Sequence, residues 1–302
     1  MDTKLAAGGA LAAAAAAFAC FGGVQPESKG LRAGPSGSIV VFVNGVQVVV
    51  APHELHPRMT LLEFLRENRK LSGAKLSCAQ GGCGACTVML TSWDKSCGEW
   101  QHRAVNACLR PVLACDGMAI LTTEGIGNKQ DGFHPVQERI AKCNGSQCGF
   151  CTPGQVMSLY SLLRESGGEP LTLDAIEERF DGNICRCTGY RPIMTAAHTF
   201  AAEGPLGDKT DITNFAPKFA SYDPASEKPP PEGLKQQAAA TLSVTSTDGS
   251  AAWFRVGSLS ELDAVRASTR GQKSTLVVGN TMTGECPPPP GQQPSDYPGP
   301  PI

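Results

Sequence analysis

Net charge of either sign is what this sequence most lacks. In 302 residues, 26 Lys and Arg stand against 28 Asp and Glu, for a formal charge of -2 and a pI near 6.2. Without a basic patch or stripe there is no footprint for a phosphate backbone, so nucleic acid is excluded as an expected partner. No Walker loop is present, and Gly125-x-Gly127 lacks the third glycine of a dinucleotide-binding turn, so no motif for NAD is recognisable. Long apolar runs are missing except for residues 5–23, which are mostly Ala and Gly. Those residues are too weakly apolar for a membrane span, and no membrane partner is expected. The run has the length of a signal-peptide core, but only Lys4 precedes it and no twin Arg does. It reads as part of a disordered Ala/Gly-rich extension, residues 1–37. The expected location is cytoplasmic, with a targeting signal left open.

Cysteine, by contrast, is plentiful. Of 13 cysteines, eight stand in two groups. The first is Cys78-Ala-Gln-Gly-Gly-Cys83-Gly-Ala-Cys86, with Cys108 after a further 21 residues; the second is Cys148-Gly-Phe-Cys151, with Cys185-Arg-Cys187 after a gap of 33. These C-x-x-C and C-x-C spacings suit metal sites better than a disulfide scaffold, and they favour a reducing compartment in which thiolates stay free. The C-x4-C-x2-C run with a distant fourth Cys is the plant-type [2Fe-2S] spacing. Gly81, Gly82 and Gly84 free the backbone to wrap closely round a cluster and point N–H groups at its sulfurs, which tunes a reduction potential of about -400 mV for this type. Common zinc forms do not use these spacings.

The surrounding pattern fits a small ferredoxin. Ile39–Val43 and Val46–Val50 are β-branched runs joined by Asn44-Gly45, a strong hairpin signal. Thr60 and Glu63 form a capping pair for a helix over 60–68 with Leu61, Leu62 and Leu65 on one face. A strand is expected over Thr87–Thr91, then a variable loop carrying Trp93 and Trp100, then a last pair of strands around Pro111–Thr123. From Gly125 the period becomes helical, with helices expected over Val136–Ala141, Gly154–Arg164 (capped by Thr152 and Pro153), Thr172–Phe180 and Pro192–Ala202.

In this bundle Cys148 and Cys151 precede a helix N-terminus, whose N–H groups favour thiolates, and Cys185 and Cys187 are read as ending the third helix. Spacing alone leaves two questions open. Cys143-x4-Cys148-x2-Cys151 also has the plant-type pattern, so either Cys143 or one of Cys185 and Cys187 is redundant. Zinc also suits C-x-x-C with C-x-C. His53 and His56 lie between prolines and read as solvent-facing, and the Asn144-Gly-Ser sequon abuts a metal loop.

Several segments together carry a resemblance. They are Cys78-Ala-Gln-Gly-Gly-Cys-Gly-Ala-Cys-Thr-Val-Met, Asn106-Ala-Cys-Leu, Thr123-Glu-Gly-Ile-Gly, His134-Pro-Val-Gln-Glu, Gly145-Ser-Gln-Cys-Gly-Phe-Cys-Thr-Pro-Gly and Gly182-Asn-Ile-Cys-Arg-Cys-Thr-Gly-Tyr-Arg-Pro. Over residues 38–205 the chain resembles the N-terminal iron-sulfur region of the xanthine dehydrogenase and aldehyde oxidase family of molybdenum hydroxylases. The resemblance implies an α+β chain: a β-grasp plant-type ferredoxin domain (38–125), then an all-α four-helix [2Fe-2S] domain (126–205). It implies one cluster on Cys78, Cys83, Cys86 and Cys108 and another on Cys148, Cys151, Cys185 and Cys187, with Cys143 a bystander. It also gives Gln147 a contact to the pterin of the molybdenum cofactor, a task an amide suits.

Beyond the clusters the sequence turns to Pro-rich linker (206–250), then to a partial FAD-binding domain (251–285) and a Pro-rich tail (286–302). Leu276, Val277, Val278, Gly279, Asn280 and Thr281 resemble the strand and turn that meet FAD in the family, as an incomplete site. The expected function is electron transfer through two [2Fe-2S] clusters, with FAD and molybdenum domains or chains as partners and, by likeness, a homodimer of the full-length enzyme. No catalytic residue is expected in this stretch, and the chain alone is expected to be inactive. A separate iron-sulfur subunit of a multi-chain enzyme and a zinc or interaction module remain as alternatives.

Overall fold

A computed structural model describes residues 37–202, 219–236 and 241–277. The opening hairpin forms as its sequence dictates. Strands β1 (Ile39–Val43) and β2 (Val46–Val50) pair antiparallel around Asn44 and Gly45, whose φ values of 50° and 85° match the primed turn that favours Asn-Gly. Asn44 also holds the far end of the sheet, accepting from the Thr122 backbone N–H at 2.9 Å and donating to its hydroxyl at 3.1 Å.

Helix α1 (Leu61–Glu63) begins where the Thr60 hydroxyl accepts from Glu63 N–H, then widens into a π-turn over Phe64–Asn68 closed by Arg69 N–H on Phe64 O. Strands β3 (Thr87–Asp94), β4 (Glu99–Asn106) and β5 (Ala119–Leu121) complete a sheet ordered β2-β1-β5-β3-β4, parallel only between β1 and β5. Trp93 and Trp100, expected in a loop, instead face each other across β3 and β4 with ring centroids 4.9 Å apart. Aromatic pairing across the ladder carries β3 past its expected end at Thr91 and makes a strand, β4, of residues expected in a loop. The expected second strand around 111–123 is a short 3-10 turn, Val112–Cys115, because its apolar side chains are buried beneath the sheet rather than paired.

Helices α2 (Thr123–Ile126), α3 (Pro135–Lys142), α4 (Thr152–Glu165), α5 (Leu173–Arg179) and α6 (Arg191–His198) follow. The short α2 was not apparent in the sequence, and α4 is capped by Cys151 rather than Thr152. Their core is Val136, Ile140, Leu159, Leu163, Ile176 and Ile193, all buried. Met89 of β3 meets Met157 and Tyr160 of α4 in a third buried group, which joins sheet to helices.

The part read as mobile linker is ordered where it is described. Residues 219–236 cross the molecule as a strap: Leu234 is buried, Gly233 lies against the Phe42 ring, and Lys235 sits 4.3 Å from the Trp93 ring centroid. Strand β6 (Leu242–Thr245), also inside the expected linker, pairs with β7 (Ala252–Arg255). Leu242 and Val244 enter the first domain's core with Trp253 packed beside them, and Arg255 bonds Asp116 at 2.6 Å. Thus β7, at the start of the expected FAD fragment, docks on the first domain through a hairpin whose alternate apolar residues face inward. Helix α7 (Leu259–Ser268), capped by Ser258, buries no side chain.

Candidate metal centres

The first group of thiols is carried by the loop before β3. Ala79, Gly81 and Gly84 there have positive φ, so the chain coils rather than extends. Cys86 and Cys108 are buried, whereas Cys78 and Cys83 are half-buried. The four thiols bear on one another's ionisation: Cys83 helps to lower Cys78, and Cys86 responds to Cys108, Cys83 and Cys78. Burial opposes ionisation of Cys78, but N–H groups of Gln80, Gly82 and Cys83 outweigh it and lower its pKa; Gln80 N–H lies 3.4 Å from its sulfur. Cys86 is lowered by the hydrogen bond from the Cys108 thiol, and Cys108, the donor, is raised. Asn106 ties this loop together, donating to Gly81 O at 3.0 Å and accepting from the Cys86 thiol at 3.8 Å.

The second group lies where α4 begins and in the turn after α5. Its four thiols also bear on one another's ionisation, Cys148 chiefly with Cys187 and Cys151 chiefly with Cys185. Phe150 N–H lowers Cys148, whose thiol partner Cys187 is raised. Burial, then the hydrogen bond to Cys185, pushes Cys151 up to about 12. Cys185 is lowered despite its burial, chiefly by Thr188, whose hydroxyl lies 3.0 Å from its sulfur. Contrary to expectation, Cys185 and Cys187 do not end a helix. Helix α5 stops at Arg179, and the thiols follow in a turn held by Asn183 N–H on Phe180 O and by Cys185 N–H on the Tyr190 hydroxyl. Cys143 packs in the helical core, with its pKa raised by burial and no thiol partner among the described contacts.

In each pair with both shifts resolved, one thiol ionises readily and its neighbour holds the shared proton. A thiophilic cation displaces such a proton on binding. Among the described residues, no three His, Cys, Asp or Glu side chains close round a single ion position.

The two loops touch. The Cys83 carbonyl accepts from Ile184 N–H at 3.0 Å, one residue before Cys185. Asn183, buried, donates to Gly84 O at 3.1 Å and accepts from the Ser158 hydroxyl at 2.5 Å. Gly84 has φ +67°, and a Cβ on Gly154 would lie 2.1 Å from the Gly84 oxygen, so α4 reaches the first loop only as glycine. Sequence reading missed Asn106, Asn183 and Thr188; each adjoins a cysteine motif but carries no spacing signal of its own.

Gln147 is exposed beside Cys148, and the apolar side chains of Phe150, Ile184 and Leu76 are exposed around the two loops. Of the expected FAD segment, Leu276 is exposed and Val277 half-buried, while Val278, Gly279, Asn280 and Thr281 lie outside the described residues. Among the described residues, no helix is long and apolar enough to cross a membrane.

Comparison with known proteins places these centres. Residues 41–117 match the family described as a 2Fe-2S iron-sulfur cluster binding domain, and residues 122–198 match the [2Fe-2S] binding domain family. The chain therefore carries two [2Fe-2S]-binding domains in tandem. It is 44% identical over 269 residues to xanthine dehydrogenase of Drosophila subobscura and 44% identical over 266 residues to xanthine dehydrogenase/oxidase of Felis catus, in each case over 82% of this chain and 20% of the relative. It is 52% identical over 172 residues to xanthine dehydrogenase of Blastobotrys adeninivorans, over 57% of this chain and 12% of the relative. The chain belongs to the xanthine dehydrogenase and aldehyde oxidase family and corresponds to its N-terminal iron-sulfur region. It spans at most about a fifth of the length of these relatives.

Proposed function

We propose that this chain is a two-centre electron carrier of a xanthine-dehydrogenase-like molybdenum hydroxylase. Cys78, Cys83, Cys86 and Cys108 hold one [2Fe-2S] cluster, and Cys148, Cys151, Cys185 and Cys187 hold the other. Each cluster supplies one-electron redox chemistry when bound. The observation that carries this reading is that the eight cysteines lie in two sets of four whose charges bear on one another, on two loops that meet where Ile184 N–H donates to the Cys83 carbonyl. The protein supplies thiolates, N–H groups aimed at sulfur and a fixed separation; the buried Cys86 and Cys108 keep water from one side of the first centre. The parallel β1–β5 pairing with a helix across the sheet supports a β-grasp reading of the first domain, and α3–α6 support a four-helix reading of the second.

The exposed Gln147 is available to a pterin presented from outside, and the 276–281 segment to a flavin, both in partner domains or chains. Substrate oxidation belongs to the molybdenum part and onward transfer to the flavin part, so the isolated chain carries electrons without oxidising purines or aldehydes. The test is iron, sulfide and zinc analysis of the purified chain, with turnover assays on xanthine and an aldehyde. About four iron and four sulfide per chain are expected, as two [2Fe-2S] centres require, with visible absorption and no turnover. Zinc without sulfide, or turnover by the chain alone, would overturn the proposal.

A further inference from the structure

We infer that Asn183 is a positioning residue that sets the spacing of the two centres and with it the exchange of electrons between them. This rests on the two-cluster reading above.

Asn183 touches no thiol. Its side chain is buried between the domains, where it donates to Gly84 O in the first ligand loop and accepts from Ser158 on α4, in the second domain. Its own carbonyl is 3.5 Å from the Gln155 amide nitrogen. The next residue, Ile184, makes the one direct backbone bond between the loops among the described residues, to the Cys83 carbonyl at 3.0 Å. The connection from Cys83 to Cys185 therefore runs across a single hydrogen bond, and Asn183 holds the turn that presents it.

The packing leaves little freedom there. A Cβ on Gly84 would meet the Asn183 amide at 2.3 Å, and one on Gly154 would meet Gly84 O at 2.1 Å, so three elements approach at backbone contact. Interiors packed this closely transmit strain, so loss of the Asn183 side chain is taken up by a shift of the neighbouring loops.

Asn183 is also dispensable for each loop by itself. Gly84 O keeps two local donors, the backbone N–H of Thr87 at 3.1 Å and its hydroxyl at 2.7 Å. The turn after α5 keeps Asn183 N–H on Phe180 O and Cys185 N–H on Tyr190. Shortening the side chain therefore cuts the tie between domains and leaves both thiol sets in place.

The experiment compares the purified chain with Asn183→Ala and Ser158→Ala by iron and sulfide content, by visible circular dichroism, and by low-temperature electron paramagnetic resonance after full reduction with dithionite. Iron and sulfide test the two-cluster reading; the magnetic interaction between the reduced centres tests the positioning role. In the parent, a resolved splitting or broadening is expected from two nearby paramagnets. In Asn183→Ala, with iron, sulfide and circular dichroism unchanged, that interaction is reduced or lost, and flash-initiated redistribution of one electron between the centres slows. Ser158→Ala, which removes one of the two side-chain bonds and lies outside the ligand loops, gives a smaller change in the same direction and serves as the test if Asn183→Ala does not fold. Unchanged magnetic interaction and transfer rate in a fully loaded Asn183→Ala, or in Ser158→Ala should the first not fold, would overturn the inference, as would a parent without any interaction between its centres. Fewer than two clusters in the parent would instead defeat the underlying reading.

Discussion

Glu227 offers the sharpest test of how the strap is held. Its carboxylate, with about 10% of its side-chain surface exposed, accepts from His134 Nε2 at 2.7 Å, Tyr222 at 2.7 Å, Tyr160 at 2.8 Å and Arg164 at 3.2 Å. On its other side the His134 ring meets Val136 N–H through Nδ1 at 3.1 Å. Burial by itself would raise the Glu227 pKa, but the bonds from His134 and Tyr222, the charge interaction with His134 and the bond from Tyr160 outweigh it and depress it from 4.5 to about 2. A depressed carboxylate stabilises the fold above its unfolded pKa and loses that contribution as pH falls through the folded value. The depression corresponds to about 3 kcal/mol, and about 2 kcal/mol after solvent screening. Replacing the residue by Glu227→Gln keeps the shape and removes the charge. A loss of about 2 kcal/mol should lower the thermal midpoint by about 4–8 °C at pH 7. The assay is far-ultraviolet circular dichroism on parent and variant at matched iron content, in buffers from pH 8 downward. The gap should stay constant down to about pH 5 and narrow below about 4.5, where the carboxylate of the unfolded chain takes up protons before the folded one does. A midpoint change below about 1 °C at pH 7, or a gap that widens in acid, would refute the reasoning.

Two further predictions follow from the thiols and from His102. Cys143→Ser should leave iron and sulfide unchanged, because Cys143 lies in the helical core without a thiol partner, whereas Cys187→Ser should remove about half of each; the reverse result would move the second ligand set. His102, hydrogen-bonded to Thr91 at 2.9 Å, has its pKa lowered to about 4, first by desolvation and then by Arg164. The fold therefore binds fewer protons than the unfolded chain between about pH 6.5 and 4, and stability falls as pH drops through that window. Thermal midpoints of His102→Gln should decline less over that interval, and an identical decline would assign the slope elsewhere.

Local chemistry was legible in the sequence wherever one residue type is required by geometry. Asn44-Gly45 gave the hairpin, Thr60 and Thr172 gave helix starts, and the cysteine spacings picked out both centres. What escaped was decided by contacts distant in sequence. Strand β4, polar at several positions, is fixed by its ladder to β3 and by the Trp93–Trp100 pair rather than by a clear alternation. The strap looks like linker because Pro and charged residues dominate it, yet Glu227 finds donors 63 to 93 residues away and Leu234 finds a buried site. Strand β6 is too short to read alone and becomes a strand only by placing Leu242 and Val244 in a core built by residues 39–120. Spacing likewise left open the choice between Cys143 and the Cys185–Cys187 pair, and the neighbours of Cys148 and Cys151 across α4 and α5 appear only in three dimensions.

The two ties between the domains differ in kind, and the difference follows from what each must do. Beside the proposed clusters the tie is neutral: Asn183, Ser158 and backbone groups, with glycine at the points of closest approach. An ionised side chain there would interact strongly with a centre whose charge changes on every electron, because the low local dielectric magnifies such interactions. Along the strap, charge is used freely, in Glu227 with Arg164, in Arg139 donating to Ala220 O, and in Lys235 over the tryptophans. There it adds strength without adjoining any of the eight thiols. Of those thiols only Cys148 and Cys187 are exposed, and they form one pair. Beside them Gln147, Phe150 and Ile184 are exposed as well, so the neutral tie and the open edge of the second thiol set lie on neighbouring stretches of the same loops.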